Sequence, residues 1–220
     1  MRINAYVLAA DPAWVEESLA SYYDLVQRIV VSFDETGTSW TGHPLDPTEA
    51  LNRLQALDHQ DKIVLAPGRF FTPGQNALAS DTAQRQNALD LASDGVDWVL
   101  QLDSDEVAAD PAELVSCLDQ ADREGFGALD YPARYLYQHV RDGWYLERGR
   151  RLWRPAAAYP GAVAVRAGTR LRLSRQTDAA LFRVDFSGRN TDPWHPRDAP
   201  VHRVVHPAQG IMHLSWVRSE

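Results

Sequence analysis

The alternation of strand and helix signals over the first 125 residues most constrains what this chain can fold into. Ile3 to Ala9 reads as a buried apolar strand. Asp11-Pro12 then supplies a helix N-cap and a first helical position, and Val15, Leu19 and Tyr22 or Tyr23 give that helix one apolar face. Arg28 to Phe33 is a second short apolar run, closed by Asp34. Asp46-Pro47-Thr48-Glu49 has the spacing of a capping box and opens a helix carried by Leu51, Leu54 and Leu57. Lys62 to Ala66 is a third strand, and a Pro- and Gly-rich loop over 67–80 leads to a helix from about Asp81 to Ser93, with Ala88 and Leu91 inward. Asp97 to Leu102 is a fourth strand, and Asp110-Pro111-Ala112-Glu113 opens a helix faced by Leu114, Val115 and Leu118. This order predicts an α/β fold with a mostly parallel central sheet and helices on both faces.

Beyond about residue 125 the pattern turns to short extended pieces: 126–137, 163–166, 170–173, 181–186 and 211–216. No linker composition separates them, so the chain of 220 residues is expected to form one domain. Residues 1–125 would be its ligand-binding part and 126–220 an elaboration on the same sheet. The net charge of −8 is uneven, −16 over residues 1–130 and +8 over 131–220. A basic last part beside an acidic body suggests an anionic ligand near the tail, with Arg203 and Arg218 as contributors. There is no dense basic run, which argues against nucleic acid as a partner. No stretch reaches the roughly 18 apolar residues of a membrane span. The single cysteine, Cys117, excludes an internal disulfide and a multi-cysteine zinc site. With no signal-peptide pattern at the N-terminus, the expected location is cytoplasmic.

In open α/β sheets ligands lie beyond the carboxyl ends of the strands. Two strands here end in acids, at Asp34 and at Asp103-Ser104-Asp105-Glu106. Three carboxylates within four residues repel one another unless something compensates, and a hard divalent cation does so with oxygen ligands. The plainer reading is a solvated or helix-capping acidic turn. His202 and His206 are four apart, but the residue after His202 is Arg203, not the glutamate of a zinc-protease motif, and Val204, Val205 and Pro207 disfavour a helix. On its own His213 reads as an ordinary buried histidine.

Leu102-Asp103-Ser104-Asp105-Glu106 resembles the Asp-x-Asp motif of nucleotide-sugar-dependent glycosyltransferases with the GT-A fold, especially the family 2 type. Asp34 at the second strand's end, Arg85-Gln86-Asn87-Ala88 before the motif strand and His213-Leu214-Ser215-Trp216 near the C-terminus fall in matching places. The resemblance covers residues 3–106 and the tail, not 131–205. It implies a Rossmann-like nucleotide-diphospho-sugar transferase fold. It implies transfer of a sugar, with inversion, from a nucleotide donor of the UDP-sugar kind to a hydroxyl acceptor. It further implies that Asp105 binds Mn²⁺ or Mg²⁺ directly, that Asp103 contacts the ribose or the metal, and that His213 completes the metal shell. Ala9 and Asp34 would hold the nucleobase and ribose, and Arg85 would face the nucleotide. A base must deprotonate the acceptor in an inverting reaction. Glu106, Asp130, Glu147, Asp185 and Asp192 are the candidates, with Asp185 and Glu106 preferred.

Tyr131, Tyr135, Tyr137, Trp144, Tyr145 and Trp153 would stack on sugar faces or build core; core is the commoner use. Two rivals remain. A haloacid-dehalogenase-like phosphatase also places Asp-x-Asp at a strand end, but on its first strand and with a later lysine, whereas Lys62 is the only lysine here. A sugar-nucleotide pyrophosphorylase would show a Gly-rich basic loop after the first strand, and Leu8-Ala9-Ala10-Asp11-Pro12 has no glycine. A non-catalytic sugar-nucleotide-binding domain is the third alternative.

Overall fold

The computed structural model describes residues 1–151, 154–155, 157–192, 195–196 and 198–217. Four parallel strands come first: β1 (Ile3–Leu8), β2 (Ile29–Asp34), β3 (Ile63–Gly68) and β4 (Trp98–Leu100). They are joined by helices α1 (Val15–Tyr22), α2 (Thr48–Leu57) and α3 (Ala77–Ala92). After β5 (Glu106–Ala108) and α4 (Pro111–Arg123), the chain adds β6 (Ala128–Asp130), β7 (Ala133–Arg141) and β8 (Trp144–Glu147). There follow the short pairs β9 (Gly149–Arg151) with β10 (Arg154–Pro155) and, after β11 (Ala164–Arg166), β12 (Leu171–Leu173) with β13 (Gln176–Thr177). Last come β14 (Leu181–Asp185), β15 (Arg203–Val204) and β16 (Ile211–His213).

The central sheet has eight strands in the order β15-β14-β6-β11-β4-β1-β2-β3. Only β11 runs antiparallel within it, between β4 and β6. This is the mixed α/β, mostly parallel architecture expected from the pattern. Of the strands after residue 126, β6, β11, β14 and β15 join this same sheet. A second sheet, β5-β16-β7-β8, stands beyond the carboxyl edge and folds the tail back onto the acidic turn, with His213 opposite Glu106.

The pleat divides the core in two. Val7, Val31, Trp98, Leu100, Leu129 and Phe182 face α1, α2 and α4. Tyr6, Leu8, Val30, Val99, Ala128 and Val165 face α3. On α3 the inward residues are Arg85, Ala88, Leu89 and Ala92, whereas Leu91, expected inward, is exposed. Leu91 lies about 100° round from Ala92 and 200° from Leu89, off the stripe that meets the sheet.

Helix starts differ from expectation in instructive ways. Asp11 accepts from the Ala13 N–H, but α1 begins only at Val15, because Trp14 takes a left-handed φ of 69°. Its indole donates to the Val217 carbonyl at 2.7 Å, so a tail contact sets the local backbone. Asp46 accepts from Thr48 N, while Glu49 pairs with Arg53 instead of closing the box. α3 starts at Ala77, four residues early, since Asn76 caps it by accepting from Leu78 N at 2.8 Å. At α4, Asp110 caps as expected, but Glu113 goes to Arg203.

Candidate nucleotide-diphosphate site

β1 is the point where the strand order reverses, with β2 on one side and β4 on the other. Such switch points leave a crevice outside the carboxyl ends. A cavity of about 220 Å³ opens there, lined by Leu8, Ala9, Ala10, Asp34, Trp40 and Gln84, among others. Its walls are fixed. The Trp40 indole donates to Gln84 Oε1 at 2.7 Å, and Gln84 Nε2 donates to Ser32 Oγ at 3.2 Å. The space suits one planar ring better than an extended ligand.

Asp34 borders this cavity, but its carboxylate also ties the loop together. It accepts from Thr36 N, Thr36 Oγ1, Thr38 N and Phe70 N. Burial works to raise its pKa, and the hydrogen bonds from Phe70 and Thr36 outweigh that, leaving it below the usual carboxylate value.

The acidic turn follows β4 directly. Asp103 Oδ1 accepts from Arg85 Nη1 at 2.7 Å, and Arg85 Nε is held by Asp81 one helical turn earlier. Arg175, from the β12–β13 hairpin, donates from Nη1 to the Gln101 carbonyl at 2.6 Å and grips both oxygens of Glu106. Its Nη2 also lies 3.9 Å from Asp103. Burial would raise the Asp103 pKa, but Arg85 and Arg175 hold it well below the usual range. The repulsion anticipated in this turn is therefore compensated by two guanidiniums, not by a cation alone.

Asp105 lies apart from that pair. The Ser215 hydroxyl donates to Asp105 Oδ2 and lies 3.1 Å from His213 Nδ1. His213 is stacked on Tyr135 at 4.3 Å, with Nε2 3.7 Å from Glu106 Oε1. Burial raises the Asp105 pKa, and the Ser215 hydrogen bond and His213 oppose that rise. Among the described residues no group of three His, Cys, Asp or Glu is set to hold a metal ion. Asp103, committed to two arginines, does not fit as a direct ligand. Asp105 offers the carboxylate that Mn²⁺ or Mg²⁺ takes, with water and substrate phosphate completing the shell, and His213 is joined to it through the Ser215 hydroxyl.

The structure thus gathers Ala9, Asp34, Arg85, Asp103, Asp105, Glu106 and His213 at one edge of the sheet. Glu106, fully buried and gripped by Arg175, also accepts from Asp103 N at 3.0 Å and so positions the turn. Asp185 does not join them. It ends β14, and its oxygens accept from Ser187 N, Thr191 N and Thr191 Oγ1. Arg203 turns away to Glu113 on α4, and Arg218 lies outside the described residues. His202 packs between Phe126 and Phe182, and His206 caps the turn at Pro207, so they form no zinc pair. Of the aromatics, Tyr131 is core, Tyr137, Trp144 and Tyr145 are exposed, and Trp153 lies outside the described residues. Lys62, the only lysine, donates to the Tyr23 carbonyl, by the amino end of β3 and far from Asp103.

Sequence reasoning missed Arg175, Trp40, Gln84 and Ser215. Arg175 carried no local signal, since it meets Glu106 across 69 residues. Trp40 did carry one: it is a lone aromatic in a polar loop.

No family model and no curated protein matches this chain. Solved structures that it resembles include 4-diphosphocytidyl-2C-methyl-D-erythritol synthase from Anaerococcus prevotii, at 11% identity over 76% of this chain and 71% of that one, TM-score 0.43. The Francisella tularensis 2-C-methyl-D-erythritol 4-phosphate cytidylyltransferase aligns at 17% identity, 76% and 74% coverage and TM-score 0.39. Mannose-6-phosphate isomerase from Helicobacter pylori aligns at 13% identity, 64% and 52% coverage and TM-score 0.36.

Proposed function

We propose that this protein is a glycosyltransferase that moves a sugar from a nucleotide-diphosphate donor of the UDP-sugar kind to a hydroxyl acceptor, with inversion. The observation that carries the reading is a single juxtaposition at the carboxyl edge. A cavity bordered by Ala9, Trp40 and Gln84 lies at this edge, and the residue after Gln84 on the same helix, Arg85, holds the acidic turn through Asp103. The pair Asp105–His213 completes the set.

In this reading the nucleobase enters the cavity, with Trp40 as one wall. Arg85 would face the diphosphate, and its charge would favour the dianion that develops as the glycosidic bond breaks. Asp105 and His213 would hold Mn²⁺ or Mg²⁺, which supplies Lewis-acid stabilisation of the leaving diphosphate. Arg175 and Glu106 keep the turn in place. Residues 131–217 offer the exposed aromatics of β7 and β8 to an acceptor.

Calorimetric titration of UDP and GDP, with and without Mn²⁺, tests this. Metal-dependent binding of one nucleotide is expected. Asp105→Ala should weaken the metal-dependent component by about 10–100-fold or more, and His213→Ala should weaken it while leaving thermal stability within about 1 kcal/mol. Equal affinity of Asp105→Ala and the parent protein, or no binding of either nucleotide, overturns the reading.

A further inference from the structure

Four of the carboxylates that could deprotonate an acceptor are already engaged or enclosed. Glu106 is gripped by Arg175, and Glu147 is bound in fork geometry by Arg134, at 2.9 and 2.6 Å. Asp185 holds the loop that follows β14. Asp130 is 2% exposed.

The fifth, Asp192, has a different use. Its Oδ2 contacts His195 Nδ1, and Asp192 is itself buried while the His195 side chain is about one-third exposed. A carboxylate on Nδ1 fixes the tautomer that leaves Nε2 as an acceptor facing outward. Nε2 makes no hydrogen bond among the described residues.

Charged groups gather around this pair. Asp130 from β6 and Asp192 from the same loop interact with His195, and the Tyr159 ring lies 6.3 Å from it. Asp185 and Arg183 from β14 in turn face Tyr159 and Asp130. Asp130 Oδ2 and Arg183 Nε and Nη1 are buried without a hydrogen-bond partner. Nε and Oδ2 lie 3.7 Å apart. Unsatisfied groups of this kind carry a cost that a folded chain ordinarily avoids, and they concentrate at functional sites. Burial pushes the Asp130 carboxyl up to about 6.

The register places this cluster relative to the nucleotide site. Leu100 and Leu129 both lie opposite Ala164, so Asp130 is level with Gln101. The two strands stand two spacings apart, about 10 Å. Asp103 is two residues further on. The alternation of side chains puts Gln101, Arg183 and Asp130 on the α3 side of the sheet.

We propose that His195, oriented by Asp192, is the general base of the transfer reaction, an assignment that rests on the glycosyltransferase reading above. The acceptor O–H bond breaks and its proton goes to His195 Nε2. The acceptor oxygen forms a bond to the anomeric carbon. The bond from that carbon to the diphosphate oxygen breaks, and its electron pair leaves with the nucleoside diphosphate. The imidazolium then returns its proton to solvent. His195 is a catalytic residue in this scheme and Asp192 a positioning residue.

The test uses UDP-glucose, UDP-N-acetylglucosamine and GDP-mannose, with water or glycerol as acceptor, and follows nucleoside diphosphate release. His195→Gln should lower turnover by about 10²-fold or more, with unchanged nucleotide affinity. It should also remove the fall in rate that the parent protein shows as pH drops through the imidazole range. Asp192→Asn should lower turnover and alter that fall, since the amide no longer fixes the ring tautomer. A structural role would not move it. If His195→Gln loses its cooperative melt, His195→Ala with added imidazole replaces it, and rescue by imidazole supports the proposal. Full turnover or an unchanged pH profile in His195→Gln overturns it. Nucleotide binding by the parent without any release also overturns the base while leaving the nucleotide site standing. Absence of nucleotide binding overturns the site reading itself.

Discussion

Asp103, Asp105 and Glu106 crowd three carboxylates into four residues, and Arg175 carries much of the compensation from a hairpin distant in sequence. It is about 1% exposed and its partner Glu106 is fully buried. Removing one member of such a pair leaves the other charge in the interior, which costs about 3–5 kcal/mol. Arg175→Leu should therefore lower the urea midpoint by that equivalent, and a loss under about 1 kcal/mol would contradict the role given to it. Arg175→Met combined with Glu106→Leu should recover most of the loss, because no charge is then stranded. Asp130 makes a prediction of opposite sign. Its folded pKa is raised to about 6 from 3.8 by burial, against the lowering effect of Arg183. The folded state therefore holds this proton more tightly than the unfolded chain, so its contribution is fully present below about pH 4 and is lost as pH rises through about 6. Melting curves of Asp130→Asn and the parent protein, compared between pH 4 and 7.5, should shift steadily in the variant's favour. A constant difference across that range would mean that Asp130 is not the group responsible.

At the scale of elements, the apolar runs and the alternation of strand and helix were legible because each is a local property. The strands β1, β2 and β4 and the inward face of α1 follow from spacing alone, whereas on α4 Leu114 and Leu118 turn inward with Cys117 and Ala121, and Val115, expected with them, is only half-buried. What escaped was set by partners far along the chain. Trp14 delays α1 because its indole reaches Val217, and no local pattern encodes a contact across 203 residues. Likewise Asp103 and His213 could be marked as site residues from their types, but the arginine that neutralises the turn could not. Asn76 is the intermediate case. It is a good N-cap residue in a loop read as continuing to 80, and the Pro73-Gly74 turn just before it hid the helix start. α3 carries Gln84 to the cavity wall and Arg85 to Asp103, so its first turn matters to the site. Asn76→Ala should cost about 0.5–2 kcal/mol in stability. Because α3 is held along its length by the sheet, nucleotide affinity should change less than about threefold. A larger loss of affinity than of stability would show that the first turn moves Arg85.

For the whole molecule the decisive fact is the order of strands. β11 inserts between β4 and β6, and its backbone closes one side of β4 through pairs at Trp98, Val99 and Leu100. The later strands therefore complete the same core that the earlier ones begin. Trp98 and Leu100 pack in one cluster with Leu129, Val163 and Phe182. Arg175 binds the carbonyl that follows β4, and β16 pairs with β5, next to the acidic turn. A chain whose first half lacked these additions would expose an unpaired strand edge and strand Glu106 without its cation. The folded protein should thus unfold as one cooperative unit, with urea curves from far-ultraviolet circular dichroism and from tryptophan fluorescence superimposing. Residues 1–125 produced alone should show no sharp transition. Two separated transitions in the full chain, or a cooperative melt in the fragment, would mean that the cavity beside Trp40 and the histidine-bearing tail are held by independently stable units. The coupling between Asp105 and His213 would then depend on docking of the tail and not on a shared sheet.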